Sequence, residues 1–259
     1  MKKSAIKTII LLLTLSFLAV PVNAESGKVY NWYCMRKNGH LQPVCESSMS
    51  FIEDVGGRYI DKEHGDASPE KVIYLTFDAG YENGNVAKIL DVMKAEGVVG
   101  SFFVLKHLVE AEPELVKRMT DEGSIVCNHT ANHKDMTRCK TLDEFRAEIE
   151  ELENIYKETT GIEISKFYRP PEGKFTEENL KFAEELGYKT VFWSFAYADW
   201  DNDHQMSVER AEKKILDNVH NGEIMLLHPT SATNAAVLGK VIRALRAEGY
   251  RFATLDELK

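Results

Sequence analysis

The stretch Val72-Ile-Tyr-Leu-Thr-Phe77 predicts a buried β-strand. It decides the fold because it is the first of a series of predicted strands, each followed by a segment that predicts a helix. From Lys71 onward, short apolar runs alternate with segments of helical periodicity. Repeated strand–helix units of this length indicate a parallel sheet, since the helix returns the chain to the start of the next strand. About seven such strands favour a parallel (β/α) barrel over an open sheet.

The element ranges follow from this alternation. Strands are predicted at Val72–Phe77, Gly100–Leu105, Ser124–Cys127, Lys166–Arg169, Lys189–Trp193, Glu223–Leu227 and Arg251–Ala253. Helices are predicted at Asn85–Glu96, Pro113–Glu122, Thr141–Thr160, Thr176–Gly187, Ser207–His220 and Asn234–Glu248. The third helix begins with a capping-box pattern, Thr141 to Glu144, and the acidic run Glu148 to Glu153 predicts a solvated helix face.

The N-terminal part divides into a leader and an extension. Residues 1–24 predict a secretory signal, in which Lys2 and Lys3 precede the apolar run Ile9–Val20 and small residues end it. We expect export across the cytoplasmic membrane, with retention of the segment as a membrane anchor as the alternative. Residues 25–70 show no clear periodicity and predict an extension that packs on the following domain, which spans residues 71–259.

The chain is acidic. Its 259 residues carry a formal net charge of −9, and loss of the leader would remove Lys2, Lys3 and Lys7 and make the charge more negative. A nucleic-acid-binding protein is expected to have a basic surface, so the charge argues against this class. No pattern points to a protein partner, and we expect a monomer.

Four cysteines fit an exported protein and fall into two close pairs, Cys34 with Cys45 and Cys127 with Cys139. A disulfide within each pair is the simplest hypothesis, although four cysteines allow three connectivities. A bridge between Cys127 and Cys139 would brace the segment that contains His129. Neither pair has the short spacing typical of a structural zinc site. Without export, four free thiols are expected.

Titratable residues stand at or just beyond the ends of five predicted strands. They are Asp78, His129 with His133, Arg169, Asp199 and His228. In a parallel barrel the carboxyl ends of the strands form one rim, where active sites are built. Any one of these residues alone would be interpreted as a capping or solvated group. Five strands that each deliver a titratable side chain to one rim indicate a catalytic site.

The pair in His129-Thr-Ala-Asn-His133 is the candidate metal site. If this segment is helical, the spacing of four residues places both rings on one face. Neutral imidazole is the commonest protein ligand of divalent metals. Taken alone, two histidines at this spacing are more often surface residues, but their place among the other rim residues favours metal ligation.

Five ordered motifs resemble those of the polysaccharide deacetylase family, carbohydrate esterase family 4. They are Thr76-Phe-Asp-Ala-Gly80, His129-Thr-Ala-Asn-His133, Tyr168-Arg-Pro-Pro-Glu-Gly173, Asp199-Trp200 and Leu226-Leu-His-Pro229. The match covers the chain from about Lys71 to Leu258. The resemblance implies a distorted (β/α) barrel and metal-dependent removal of acetyl groups from amino sugars or acetylated polysaccharides.

Further segments resemble the branch of this family that acts on muramic acid. They are Trp32-Tyr-Cys34, Tyr81-Glu-Asn-Gly84, Pro170-Pro-Glu-Gly173 and Leu226-Leu-His-Pro-Thr-Ser231. This resemblance implies hydrolytic N-deacetylation of N-acetylmuramic acid in the peptidoglycan glycan strand, on the route to muramic δ-lactam in the spore cortex. Two alternatives remain open. One is deacetylation of N-acetylglucosamine oligomers or another acetylated glycan, and the other is a non-catalytic glycan-binding pseudoenzyme.

The motif match implies a role for each catalytic residue. Asp78 would be the general base and His228 the general acid. Arg169 would orient Asp78 and keep it ionised, since a nearby positive charge lowers a carboxylate pKa. Asp199 would pair with either Arg169 or His228.

The same match implies a substrate-binding set and an oxyanion donor. The substrate-binding residues would be Tyr168, Pro170 and Trp200. A backbone N–H near Tyr168 or Arg169 could stabilise the oxyanion.

One position departs from the family pattern. Most members carry a second aspartate directly after the base as a third metal ligand, whereas this chain has Ala79. We therefore expect a divalent metal, with zinc as one candidate, held weakly by His129 and His133. Waters, Asp78 or a substrate oxygen would fill the open positions. The muramic branch also tends to lack this aspartate, so Ala79 fits that branch.

Overall fold

The computed structural model describes residues 27–259, so the predicted leader at residues 1–24 lies outside the described residues. The described chain begins with three short strands, β1 (Tyr30–Asn31), β2 (Cys34–Met35) and β3 (Val44–Cys45), and a 3-10 helix at Ser47–Val55. Within residues 27–259, no helix combines the length and the apolar character needed to cross a membrane.

The parallel sheet and its helices then follow in alternation. The strands are β4 (Lys71–Ala79), β5 (Ser101–Val104), β6 (Ile125–Asn128), β7 (Ser165–Tyr168), β8 (Lys174–Phe175), β9 (Lys189–Thr190), β10 (Glu223–Leu227) and β11 (Tyr250–Ala253). The helices are α1 (Val86–Glu96), α2 (Lys106–Ala111), α3 (Pro113–Asp121), α4 (Leu142–Thr160), α5 (Glu177–Glu185), α6 (Val208–Asn218) and α7 (Ala232–Ala247).

Strand β4 is the centre of the sheet, because it pairs in parallel with β5, β10 and β11. Its two faces are both apolar, as expected for a parallel strand covered on both sides. Ile73, Leu75 and Phe77 pack in the cluster that includes residues of the surrounding helices, whereas Val72 and Tyr74 pack in the cluster formed by the strands.

The sheet curls into a distorted barrel, which confirms the predicted fold class. Its main path runs β10-β4-β5-β6-β7-β9, and β11 pairs with β4 beside this path. Beyond β9, the chain reaches β10 through an isolated parallel bridge between Phe195 and Met225. Two backbone hydrogen bonds support this contact, from Ser194 N–H to Ile224 O (3.0 Å) and from Leu226 N–H to Phe195 O (2.8 Å).

The N-terminal extension occupies the gap between β9 and β10. Arg58 donates its N–H to Thr190 O and accepts from Phe192 N–H, each at 2.8 Å. Asp61 N–H donates to Gly222 O at 2.9 Å, directly before β10. The predicted strand Lys189–Trp193 is therefore only two residues long in the sheet, because the extension takes the backbone hydrogen bonds that a neighbouring barrel strand would have made.

Other differences from the prediction are local. Helix α2 was not predicted, and its six residues are too few for an apolar period to be read from sequence. Helix α4 begins as predicted, since Thr141 and Glu144 form both hydrogen bonds of a capping box.

The predicted disulfides are not formed, because all four cysteines are free thiols. Cys127 is fully buried among residues of the strands, whereas Cys139 packs in a separate cluster beside Tyr168. Cys34 and Cys45 are opposite each other on β2 and β3. Their thiols instead donate to the carbonyls of Ser194 and Glu46, each at 3.4 Å.

The contact of the extension with the barrel predicts an asymmetry between two glycines. Gly222 has φ 66°, and an added Cβ would lie 2.7 Å from His64 O and still closer to Asp61 O. Gly161 has φ 80° but open space around its Cβ position. We expect Gly161→Ala to lower the unfolding free energy by about 1 kcal/mol through backbone strain alone. Gly222→Ala should cost about 1–3 kcal/mol more through overpacking. Urea unfolding measures both, and equal losses would contradict this packing.

Candidate active site

A cleft of about 970 Å³ opens at the carboxyl ends of the barrel strands. Its titratable lining residues include four of the predicted site residues, Asp78, His129, His133 and His228. Aromatic and apolar side chains form the rest of its wall, including Tyr81, Leu105, Trp193, Tyr197, Trp200 and Leu226. The structure therefore brings the ends of β4, β6 and β10 to one cavity, as the sequence predicted.

Arg169, directly after β7, is fully buried beneath this cleft. Its Nη1 donates to Asp78 Oδ1 at 2.8 Å, and its Nη2 donates to Thr76 Oγ1 at 3.0 Å. Its Nε donates to Val191 O at 3.0 Å, and its guanidinium lies 4.0 Å from the centre of the Phe103 ring. A buried charge needs such a set of partners, and they fix the guanidinium in one orientation.

The pairing with Arg169 controls the protonation of Asp78. Burial by itself would raise the pKa of this carboxyl, but the charge of Arg169, with smaller effects of His129 and His228, holds the pKa below its usual value. Oδ1 faces Arg169, while Oδ2 lies 3.5 Å from His129 Nε2. Asp78 is thus ionised at neutral pH and directs one oxygen towards the histidine.

His129 is held as a neutral ring. Its Nδ1–H donates to Arg169 O at 2.9 Å, which leaves Nε2 with a free lone pair. Burial lowers the pKa of His129 to about 4, although the charge of Asp78 opposes this effect. A neutral imidazole oriented through its other nitrogen is the usual arrangement of a metal-ligating histidine.

His133 reaches the cleft without a helix. The segment between the histidines is a loop, in which Thr130 (φ 74°) and His133 (φ 54°) are left-handed. The two rings therefore do not lie on one face of a helix, which was the arrangement expected if this segment were helical. The rings nevertheless lie with their centres 5.0 Å apart at an interplanar angle of 67°. The loop achieves the proximity that a helix face would have provided.

His228 pairs with Asp199, which resolves the alternative left open by the sequence. His228 Nδ1–H donates to Asp199 Oδ1 and its backbone N–H donates to Oδ2, both at 2.8 Å. Burial by itself would lower the pKa of His228, but the hydrogen bond and charge of Asp199, with the charge of Asp78, raise it above its ordinary value. The imidazolium form is thereby favoured.

Asn234 is a site residue that the sequence analysis missed. Its Nδ2 donates to Asp199 Oδ2 at 2.6 Å and to His228 O at 3.0 Å, and its Oδ1 accepts from Tyr197 Oη. Asn234 is fully buried in the first turn of α7. The sequence shows only an asparagine near the start of the last helix, six residues after His228, and this position does not indicate a contact with Asp199.

The donor set fits a divalent metal only as an open site. His129 Nε2 is free to ligate, His133 lies beside it, and Asp78 Oδ2 is the nearest carboxylate oxygen. Among residues 27–259, no group of three or more His, Cys, Asp or Glu side chains is arranged to hold a metal ion. Ala79 is fully buried in the apolar cluster beneath the helices. Two imidazoles are thus the protein ligands that the site offers.

The predicted substrate-binding residues separate into two groups. Trp200 lines the cleft and is 64% exposed, so it is available to a ligand. Tyr168 packs in an apolar cluster, Pro170 is buried, and neither belongs to the cleft lining. The backbone N–H of Arg169 donates to Asn128 O at 3.0 Å, so it is not a free oxyanion donor.

The wall of the cleft depends on a glycine and on the extension. Gly173 has φ 66°, and an added Cβ would lie 2.7 Å from the ring of Trp193. Trp32 donates its N–H to Gly173 O and its Nε1–H to Trp193 O, both at 2.8 Å. The extension therefore holds the Trp193 wall. Nothing in the local sequence linked Trp32 to this wall.

The loop after β4 forms another part of the cleft wall. Asn83 and Asn85 each donate a side-chain N–H to Thr230 O at 2.9 Å. Tyr81 lines the cleft, and its Oη accepts from Asn202 Nδ2 at 2.7 Å. The bond from Asn83 to Thr230 joins the two segments Tyr81–Gly84 and Leu226–Ser231, which are far apart in sequence.

Comparison with known proteins yields one family. The polysaccharide deacetylase family model matches residues 65–191. The peptidoglycan-N-acetylmuramic acid deacetylase PdaA of Bacillus subtilis is 40% identical over 93% of this chain and 89% of that protein. The solved structure of B. subtilis PdaA, a family 4 carbohydrate esterase, matches with a TM-score of 0.84 and 39% identity, over 90% of this chain and 97% of that chain. A peptidoglycan-N-acetylglucosamine deacetylase of Bacillus cereus is 34% identical over 72% of this chain and 67% of that protein.

The pairing of His228 with Asp199 predicts a titration shift. In the native chain we expect NMR to give His228 a pKa above that of a free histidine, because Asp199 stabilises the imidazolium. Asp199→Asn removes that charge, so the pKa of His228 should fall and the ring should lose its proton at lower pH. Asp203→Asn, an exposed change in the same loop, is the control and should leave the titration unchanged. An unaltered His228 pKa in Asp199→Asn would refute the pairing.

Proposed function

This chain belongs to the polysaccharide deacetylase family, and from that membership we propose that it hydrolyses the acetamide of N-acetylmuramic acid in peptidoglycan. The observation that carries the proposal is that one cleft is lined by both Asp78, whose pKa is lowered, and His228, whose pKa is raised. Asp78 is therefore ionised, and the protonated form of His228 is favoured. Amide hydrolysis needs a base for water and an acid for the leaving amine. The cleft presents both groups together.

Asp78 is the base in this proposal. Arg169 keeps the carboxylate ionised and occupies Oδ1, so Oδ2 is the oxygen that accepts a proton from the attacking water. The bonds from Arg169 to Thr76 and to backbone carbonyls keep the guanidinium in place when Asp78 accepts a proton and loses its charge. The carboxylate therefore stays aimed at the cleft throughout the reaction.

His228 is the acid in this proposal. Its Nδ1–H is engaged by Asp199, which leaves Nε2–H of the imidazolium to donate to the departing amine nitrogen. Asn234 and the backbone N–H of His228 hold Asp199 in place. The imidazole is thus fixed in one orientation, and Asp199 compensates its positive charge until the proton is transferred.

His129 and His133 are the proposed ligands of a divalent metal, with zinc as the candidate. The chemistry supplied by such an ion is a lower pKa of bound water and polarisation of the acetamide carbonyl. The neutral state of His129 and the orientation of its Nε2 support this assignment. The presence of two protein ligands rather than three supports weak binding.

The muramic substrate is proposed from the comparisons. Similarity to the muramic acid deacetylase of B. subtilis extends over 93% of the chain, whereas similarity to the glucosamine deacetylase of B. cereus extends over 72%. The segments Tyr81–Gly84 and Leu226–Ser231, which resemble the muramic branch, meet at the cleft through Thr230.

The biological setting extends this proposal. The resemblance to the muramic branch supports a place on the route to muramic δ-lactam in the spore cortex. The N-terminal signal pattern supports export to the cell wall or cortex space, with retention as a membrane anchor as the alternative.

Product analysis tests the reaction and its substrate. Peptidoglycan strands without stem peptides should release acetate and yield muramic acid with a free amine. Asp78→Asn should lower the rate by roughly 100-fold or more, because it removes the general base. Asp143→Asn, an exposed change on α4, is the control. Loss of acetyl from glucosamine would favour the alternative substrate. Glycan binding by the native chain without acetate release would favour a pseudoenzyme.

Metal removal tests the ligand assignment. Chelator treatment should abolish acetate release, and added zinc should restore it. His129→Ala should bind zinc at least about 10-fold more weakly than the native chain, because one of two imidazole ligands is lost. The exposed His107→Ala serves as the matched control. Activity that survives both chelation and His129→Ala would show that the reaction does not use this metal.

A further inference from the structure

The loop from His129 to His133 has a partner for every backbone N–H. The N–H of His129 donates to Val104 O, that of Thr130 to Asn128 Oδ1, that of Ala131 to Glu148 O, that of Asn132 to Glu148 Oε2, and that of His133 to Thr130 Oγ1. Two of these partners lie inside the loop's own sequence neighbourhood. The two central N–H groups, between the histidines, both depend on Glu148.

Glu148 is a buried exception in the acidic run that was predicted to be a solvated helix face. It lies on α4 and is 5% exposed. Besides the two backbone bonds, its carboxylate accepts from Asn132 Nδ2 at 3.1 and 3.2 Å and forms an ion pair with Lys134. Burying a carboxylate is costly unless it is fully hydrogen-bonded, and here the partners are Asn132 of the loop and Lys134 directly after it.

The loop needs such an anchor because its backbone is strained. Thr130 and His133 both have positive φ, which L-residues with a Cβ rarely adopt. A loop in this conformation relaxes when its surroundings cease to impose it. Relaxation at His133 would carry its imidazole away from His129, because the left-handed turn at this residue sets the direction of its side chain.

We propose that Glu148 is a positioning residue that sets the distance between the two imidazoles. The expected effect on zinc affinity rests on the metal assignment made above. The expected effect on the conformation of the loop does not depend on it. Glu148 fixes the loop from α4 through its main-chain and side-chain oxygens together. Neighbouring Asn128 is tied to the same helix, since its Nδ2 donates to Ile149 O at 3.1 Å. One turn of α4 therefore acts as the template for the metal-binding loop.

Glu151 has a secondary part in this arrangement. It accepts from Asn132 Nδ2 at 3.2 Å and pairs with Lys106 at 2.5 Å, but it contacts no backbone N–H of the loop. Glu150 offers a matched control, because it lies on the same helix turn, is about half exposed and is 3.6 Å from Arg146 only.

The first measurement uses the metal-free full chain. Hydrogen exchange followed by mass spectrometry should show amide exchange in residues 130–133 at least about 10-fold faster in Glu148→Ala than in the native chain. Glu148→Gln retains one acceptor oxygen for Asn132 N–H but places an amide against Asn132 Nδ2, so an intermediate increase is expected. Glu150→Ala should not change exchange in this segment.

The second measurement is zinc affinity by calorimetry, at a temperature where thermal unfolding shows all variants folded. Loss of a residue that orients metal ligands typically weakens binding by about 10- to 100-fold, and this range is expected for Glu148→Ala. Glu148→Gln should lie between it and the native chain, and Glu150→Ala should match the native chain.

The two measurements separate failure of the inference from failure of the proposed function. Native exchange rates in Glu148→Ala would overturn the positioning role, whatever the zinc result. Faster exchange in Glu148→Ala with unchanged zinc affinity would show that Glu148 does not set the distance between the two imidazoles, and it would also overturn the proposal. Absence of zinc binding by the native chain would refute the metal assignment, while the exchange data would still decide whether Glu148 holds the loop.

Discussion

The buried ion pair between Arg169 and Asp78 is the interaction on which the rest of the site depends. A fully buried guanidinium is tolerated only when its hydrogen-bonding groups and charge are matched. The partners come from β4, from the chain after β9 and from the Phe103 ring on β5. The carbonyl of Arg169 also orients His129. One residue therefore joins the barrel interior to Asp78 and to the loop that contains His129 and His133.

This constraint leads to a division of protonation states across the cleft. Burial would raise the pKa of Asp78, but the charges of Arg169, His129 and His228 together lower it. Burial lowers the pKa of His129, so this ring is neutral. Burial would also lower the pKa of His228, but the hydrogen bond and charge of Asp199, together with the charge of Asp78, raise it. Hydrolysis of an acetamide at neutral pH needs these three states together. Arg169 is the main charged partner of Asp78 and Asp199 is that of His228, and the charge of Asp78 also raises the pKa of both His129 and His228.

The sequence predicted the parts of this site that depend on local pattern. Strand and helix order followed from hydrophobic period, and Asp78 and His228 were identified because they directly follow apolar runs. The predicted disulfides were wrong, because the spacing of two cysteines along the chain does not determine which cluster each side chain packs in. Glu148 was missed for a related reason. A single buried glutamate inside an acidic run has no signature until its partners are known.

The amino-acid sequence by itself determined the alternating elements, the central buried strand and the titratable residues at the strand ends, because period, capping and turn chemistry act within a few residues. Only the tertiary structure decided that Asp199 serves His228, that the N-terminal extension fills the gap between β9 and β10, and that Glu148 holds the histidine loop. Each of these contacts joins segments that the chain brings together only when the sheet has curled. Their selection depends on burial and hydrogen-bond satisfaction in three dimensions, which no local pattern contains.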